Sequence, residues 1–298
     1  MPTVITRDQQ PLYVRVVGQG QPVLMLHGLG MKSSQWLPFI LPFIRHFKFY
    51  MPDFRGFGKS KALRLNQPDV FENHAQDVLD VMHHFDLKDF YLVGYSLGAS
   101  TALHLQHSPE FARVRRYLHI DQSPCVRNRA DWNYGLFGTQ QAQLFSQFQH
   151  MLDIIAPFEN HLLLQQLPYS TRRQAVAVLG EIFETMLGKP LIKYLFNLSA
   201  QLPVLMPHVI ALSRLEDIRL YLNAYMAGQH DYRKILGRWQ IPTTVMIGMQ
   251  SPLYHACGQR VVSDKMQPAH VVEFQKSGHT PLLDEPIKFI RELGRFLN

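Results

Sequence analysis

At 298 residues the chain is long enough for one sizeable hydrophobic core, either undivided or carrying an insertion. Its 46% hydrophobic and 18% charged residues exclude a disordered chain, and no apolar run approaches the roughly 20 residues needed to span a bilayer. The formal charge of +7 is spread along the chain in short pairs such as Arg115-Arg116 and Arg172-Arg173, a pattern that argues against nucleic-acid binding. Met1 to Val17 lacks the basic, apolar and small-residue succession of a secretory leader, so a cytoplasmic location is expected.

Along the chain, alternation over Leu12 to Val17, a turn at Gly18 to Pro22 and the apolar run Val23 to Leu26 predict a hairpin feeding a buried strand. Ser34 to Phe47 has helical spacing, Phe49 to Met51 is a short strand, and Val70 to His84 is again helical. Phe90 to Val93 is a strand, Leu97 to His107 a helix, and Arg116 to Ile120 a strand ending in Asp121. Strands return at Thr243 to Ile247 and Val271 to Phe274, and Ile287 to Leu297 closes the chain as an amphipathic helix.

Strands alternating with helices imply an α/β fold with a mostly parallel central sheet flanked by helices. Between Cys125 and Gly237 the pattern is helical, with candidate helices at Gln140 to Ile155, Thr171 to Leu187 and Pro207 to Met226. Residues 125–237 are therefore read as an inserted helical lid, and 1–124 with 238–298 as the core. Ligand sites of parallel sheets lie beyond the carboxyl ends of the strands, where an insertion entering after Asp121 would sit.

The two cysteines, Cys125 and Cys257, are too far apart for a local metal-ligand pattern and too few for a disulfide framework. The fifteen histidines are scattered, and His83-His84 has no second His or Cys one turn away. No metal or other cofactor is expected.

Gly94-Tyr95-Ser96-Leu97-Gly98 follows a strand and opens a helix, the context in which Gly-x-Ser-x-Gly holds a serine on a sharp turn with its hydroxyl at the sheet edge. His27-Gly28-Leu29-Gly30 follows another buried strand, and such a loop can aim a backbone N–H at a developing oxyanion. The donors expected there are the amides of Leu29 and Leu97.

With these motifs stand Asp53-Phe54-Arg55-Gly56-Phe57-Gly58-Lys59-Ser60 and Ser277-Gly278-His279-Thr280-Pro281, in an order that resembles the α/β-hydrolase superfamily. The resemblance spans most of the chain. It implies a serine hydrolase with Ser96 as nucleophile and His279 as base, and structural rather than catalytic roles for Asp53 and Arg55. A serine needs such a base at neutral pH, and His279 lies in a loop just past a strand.

The sequence departs from the family at the third triad member. The usual acid position after Thr243 to Ile247 falls in Gly248-Met249-Gln250-Ser251-Pro252-Leu253, which holds no carboxylate, and Ser251 stands where an Asp is usual. Asp121 is chosen as the acid because some relatives supply it from the end of the preceding strand. Two roles stay open for Asp121, triad acid or turn cap, and Ser251 is a neutral alternative partner for the imidazole. Asp264 falls near the end of a helix, while Asp284 and Glu285 resemble helix-start acids.

The expected function is hydrolysis of a carboxylic ester through an acyl-enzyme, on a small-molecule substrate with an apolar acyl or aromatic part, suggested by lid residues such as Trp132, Tyr134, Leu136, Phe137, Phe145 and Phe148. Lactone, thioester or carbon–carbon bond hydrolysis would use the same residues. The rival reading is a non-catalytic ligand-binding protein on the same fold, favoured by the missing acid after the late strand. A monomer or homodimer is the default, since no coiled-coil repeat appears.

Overall fold

The computed structural model describes residues 2–202 and 204–298. Eight strands form one sheet in the order β1-β2-β4-β3-β5-β6-β7-β8: β1 (Thr3–Ile5), β2 (Pro11–Gly18), β3 (Gln21–Leu26), β4 (Phe47–Pro52), β5 (Phe90–Tyr95), β6 (Val114–Ile120), β7 (Thr243–Gly248) and β8 (Ala269–Phe274). β1 and β2 pair antiparallel, as do β2 and β4, and every later pair is parallel.

The expected hairpin between the second and third strands does not form, because β4 lies between them. The chain steps across the start of β4, with the amides of Gln19 and Gln21 donating to the carbonyls of Ile44 and His46. Gly20 makes that crossing possible. Its φ is +98°, and a Cβ there would collide with the His46 carbonyl.

Two other helix expectations are corrected. Ser34 to Phe47 is no continuous helix but three short turns, Ser33–Trp36, Leu37–Ile40 and Leu41–Phe43, interrupted where Pro38 and Pro42 lack an N–H to continue the ladder. Pro207 to Met226 divides into Met206–Val209 and Leu215–Ala227. The helix Leu191–Gln201, absent from the sequence reading, lies among the others between β6 and β7. Among the described residues, 125–237 contains helices and isolated bridges but no strand.

Alternate residues of the strands point to opposite faces, as the twofold period of extended chain requires. Val23, Met25, Val93 and Leu118 meet Trp36, Ile40, Phe289 and Leu293 on one face. Leu24, Leu26 and Leu92 meet the helices Val70–His84 and Leu97–Leu105 on the other, and that cluster runs on into the helices of 125–237. The closing helix Pro286–Leu297 buries Phe289, Leu293, Phe296 and Leu297 at helical spacing, each contributing roughly 1.5–3 kcal/mol of apolar burial.

Asp53 and Arg55 both act inside the fold. Asp53 accepts from the amides of Ser33 at 2.5 Å and Lys59 at 2.8 Å, fixing the loop after β4. The fully buried Arg55 donates to Asp77 at 2.6 and 2.8 Å and to Asp8 at 2.6 and 2.7 Å. Removing one member of a buried pair strands the other's charge. Arg55→Leu is therefore expected to lower stability by about 3–5 kcal/mol, read as an earlier urea-unfolding midpoint. An unchanged midpoint would show that Asp77 finds another partner.

Candidate active site

The parallel strands bring their carboxyl ends to one edge, and the chemistry-bearing residues stand there, as expected for ligand sites in open α/β sheets. Tyr95 of β5 pairs with Ile120 of β6, so the next residues, Ser96 and Asp121, leave adjacent strands at the same level. His279 lies in the loop after β8.

Ser96 sits between β5 and the helix Leu97–Leu105 with φ +51° and ψ −116°, a strained conformation that turns the chain sharply and lifts the side chain out of the sheet. The turn holds because the helix packs directly on β3. Gly98 faces Leu26, and any Cβ at that position would strike the Leu26 carbonyl.

The Ser96 Oγ donates to His279 Nε2 at 2.9 Å, and His279 Nδ1 donates to Asp121 Oδ2 at 2.6 Å. The carboxylate can only accept, so the ring proton belongs on Nδ1 and the lone pair on Nε2 faces the serine. Asp121 is fully buried, while Ser96 and His279 are 8% and 4% exposed. The Tyr95 hydroxyl donates to the His279 carbonyl at 2.8 Å and fixes the backbone beneath the ring.

Asp121 takes more than one donor. Gly248 N–H and Gln259 Nε2 each donate to Oδ1 at 2.9 Å, and Ser251 Oγ donates to Oδ2 at 2.7 Å. Ser251 thus meets the carboxylate rather than the imidazole. Gln259 escaped the sequence reading: it lies on the helix Ala256–Lys265, and no local pattern distinguishes it from a surface glutamine. Asp264 stands on that helix outside the serine–histidine–aspartate chain.

Asp284 and Glu285 brace the histidine loop. Asp284 Oδ2 accepts from Ser277 Oγ, Gly278 N–H and Thr280 Oγ1, and Oδ1 pairs with Lys189. Burial pushes the Asp284 carboxyl up, but the bonds from Lys189, Thr280 and Ser277 outweigh it and hold the group below its ordinary value. Glu285 accepts from the Lys276 amide at 2.9 Å.

The glycine loop after β3 is set by its histidine. His27 Nδ1 donates to the Gly28 carbonyl at 2.8 Å and Nε2 accepts from the Phe54 amide at 3.0 Å, which fixes a neutral tautomer. Burial lowers the His27 pKa and favours the same uncharged form. Leu29 and Leu97 flank the serine, one in this loop and the other at the first position of its helix. Among the described residues neither amide donates within the chain, as expected at a helix start for Leu97.

The sequence profile described as alpha/beta hydrolase fold matches residues 21–286. The chain belongs to this family. A pimeloyl-[acyl-carrier protein] methyl ester esterase from Nitrosospira multiformis is 25% identical over 293 residues, covering 97% of this chain and 98% of the relative. Among solved structures, an esterase from Exiguobacterium antarcticum superposes with a TM-score of 0.73 at 20% identity, covering 99% of this chain and 98% of the other. An enol-lactonase from Burkholderia xenovorans does so with a TM-score of 0.71 at 16% identity, covering 99% of each. At those identities the structural matches establish the alpha/beta hydrolase fold and nothing finer.

Among the described residues no cluster of three or more His, Cys, Asp or Glu side chains could hold a metal ion, and no helix is long and apolar enough to cross a membrane. Cys125 is buried and Cys257 exposed, neither in a disulfide.

A serine already bonded to a base is primed to react with a phosphorus electrophile. A fluorophosphonate is expected to add one adduct to the folded protein, mapped by mass spectrometry to Ser96 and lost in Ser96→Ala. An adduct at another residue, or none, would show that this hydroxyl is not activated.

Proposed function

We propose that the protein hydrolyses carboxylic esters through an acyl-enzyme, with Ser96 as nucleophile, His279 as general base and then acid, and Asp121 as the third triad member. The observation that carries this reading is the unbroken run of hydrogen bonds from Asp121 through His279 to Ser96. The rival non-catalytic reading drew on the lack of an acid after β7, and the 2.6 Å bond from His279 to Asp121 favours catalysis instead.

The steps follow from the geometry. Ser96 Oγ gives its proton to His279 Nε2 as it bonds to the carbonyl carbon. The carbonyl oxygen, now negative, is taken by the unshared amides of Leu29 and Leu97. His279 becomes a cation, stabilised across Nδ1 by the buried Asp121 carboxylate. It then protonates the leaving alcohol oxygen. Water repeats the sequence on the acyl-enzyme, releasing the acid and restoring Ser96.

In this reading residues 125–237 act as a lid over the sheet edge. Its helices supply Phe148, Leu179, Ile182 and Tyr225 to the space above Ser96 and exclude bulk water from the reacting atoms. The pimeloyl-[acyl-carrier protein] methyl ester esterase is consistent with ester chemistry on this scaffold.

Hydrolysis of p-nitrophenyl butanoate by the wild type, with a loss on the order of 10³-fold or more in kcat for Ser96→Ala and His279→Ala, is the expected result. Asp121→Asn should lose on the order of 10⁴-fold by presenting the wrong hydrogen-bond partner to Nδ1. Full activity in a folded Asp121→Asn variant would remove Asp121 from the triad, and an inactive folded wild type across acyl lengths would sink the esterase reading.

A further inference from the structure

Two spaces of unequal size meet at Ser96. The inner one is a slot of about 70 Å³ between the sheet edge and the helices of 125–237, walled by groups such as Leu136, Phe148, Leu179, Leu222 and Tyr225. Among the described residues no Asp, Glu, Lys, Arg or His lines it. The outer one is a chamber of about 720 Å³ whose wall includes His279 and carries polar groups at Ser34, Gln35, His208 and Thr280. Phe183 and Met186 of the helix Tyr169–Leu187, with Ala211, border both.

The reaction proposed above fixes which part of an ester enters which space. His279 Nε2 must hand its proton to the leaving oxygen, so the alcohol portion departs on the side of His279. His279 borders the outer chamber and not the inner slot. With one position of the tetrahedral carbon bonded to Ser96 Oγ, one in the oxyanion site and one facing His279, the acyl substituent takes the remaining direction, into the slot. The slot has about a tenth of the chamber's volume, so it suits the smaller part of an ester. A charged acyl end would lie there without a counter-charge, which disfavours its binding.

We propose that the preferred substrates are esters of a short, uncharged acyl group with a much larger alcohol, the acyl group in the inner slot and the alcohol in the outer chamber. The proposal rests on the serine esterase reading. In the productive step the bond from Ser96 Oγ to the carbonyl carbon forms, the bond from that carbon to the alcohol oxygen breaks, and the serine proton leaves on the alcohol. Water then cleaves the acyl-enzyme. Phe183 is the specificity-determining group, because it borders both spaces.

The test uses two isomeric esters of equal composition, 2-naphthylmethyl butanoate and propyl 2-naphthylacetate, with acid release followed at constant pH. The first has the short acyl group and the large alcohol, and the second reverses them. The wild type is expected to favour the first by about tenfold or more in kcat/KM, a difference of about 1.4 kcal/mol in transition-state binding. Phe183→Ala, which removes that bordering side chain, should bring the ratio towards one while p-nitrophenyl acetate is still cleaved. Equal or reversed preference in an active wild type would overturn the proposal and leave the esterase reading standing. Failure to cleave either isomer or p-nitrophenyl acetate, with Ser96 unlabelled by fluorophosphonate, would overturn both.

Discussion

A carboxylate with no solvent exposure has to find its hydrogen-bond donors inside the fold, and the site depends on how Asp121 meets that condition. One donor comes from the β7 backbone at Gly248, one from the loop after β7 at Ser251, one from the following helix at Gln259 and one from the loop after β8 at His279. Two stretches far from Asp121 in sequence, 248–259 and the loop that holds His279, are tied to one group. The same condition orients His279, because its Nδ1–H is one of the donors, and through the ring it places the lone pair that faces Ser96. A polar network of this kind fixes geometry as well as charge.

The strained turn at Ser96 is held by packing on the other side of the sheet edge. Helix Leu97–Leu105 has all its residues buried and lies close on β3, so the turn cannot relax without separating helix from sheet. Among the described residues the Leu97 amide at the start of this helix has no partner, and neither does the Leu29 amide of the neighbouring glycine loop. In the proposed reaction, strain and unpaired amides that cost folding serve to bind a negatively charged oxygen.

Much of this was legible in the sequence because its signals are local. Val70–His84 has the predicted limits, since an Asp69 cap and an amphipathic period mark them within the segment itself. The placement of Ser96 on a strand-to-helix turn and of His279 in a loop past a strand was legible from local sequence. What failed was non-local. The supposed hairpin reads correctly as two strands joined by a glycine turn, and only the later arrival of β4 separates them. Ser251 and Gln259 are neutral residues whose importance comes from a carboxylate more than a hundred positions earlier. Asp121 could be singled out from its place at a strand end, but its bond to His279 depends on a loop from the far end of the chain.

Asp121 stands only a few residues before the chain leaves the sheet for the helices of 125–237, so a shift of those helices would move it unless the junction were anchored. Anchors are present at each step. His119 Nε2 donates to the Gln122 carbonyl at 2.7 Å, the Gln122 amide bonds Ser100 on the helix behind the nucleophile, and Ser123 Oγ donates to the Tyr134 carbonyl at 2.8 Å. Gln122 and Ser123 are almost completely buried. The junction is thereby fastened to the helix that begins directly after Ser96, so Asp121 and Ser96 share one rigid support. The helices that wall the inner slot can differ in shape, and so in the group they admit, without disturbing the hydrogen bonds that run from Asp121 to Ser96.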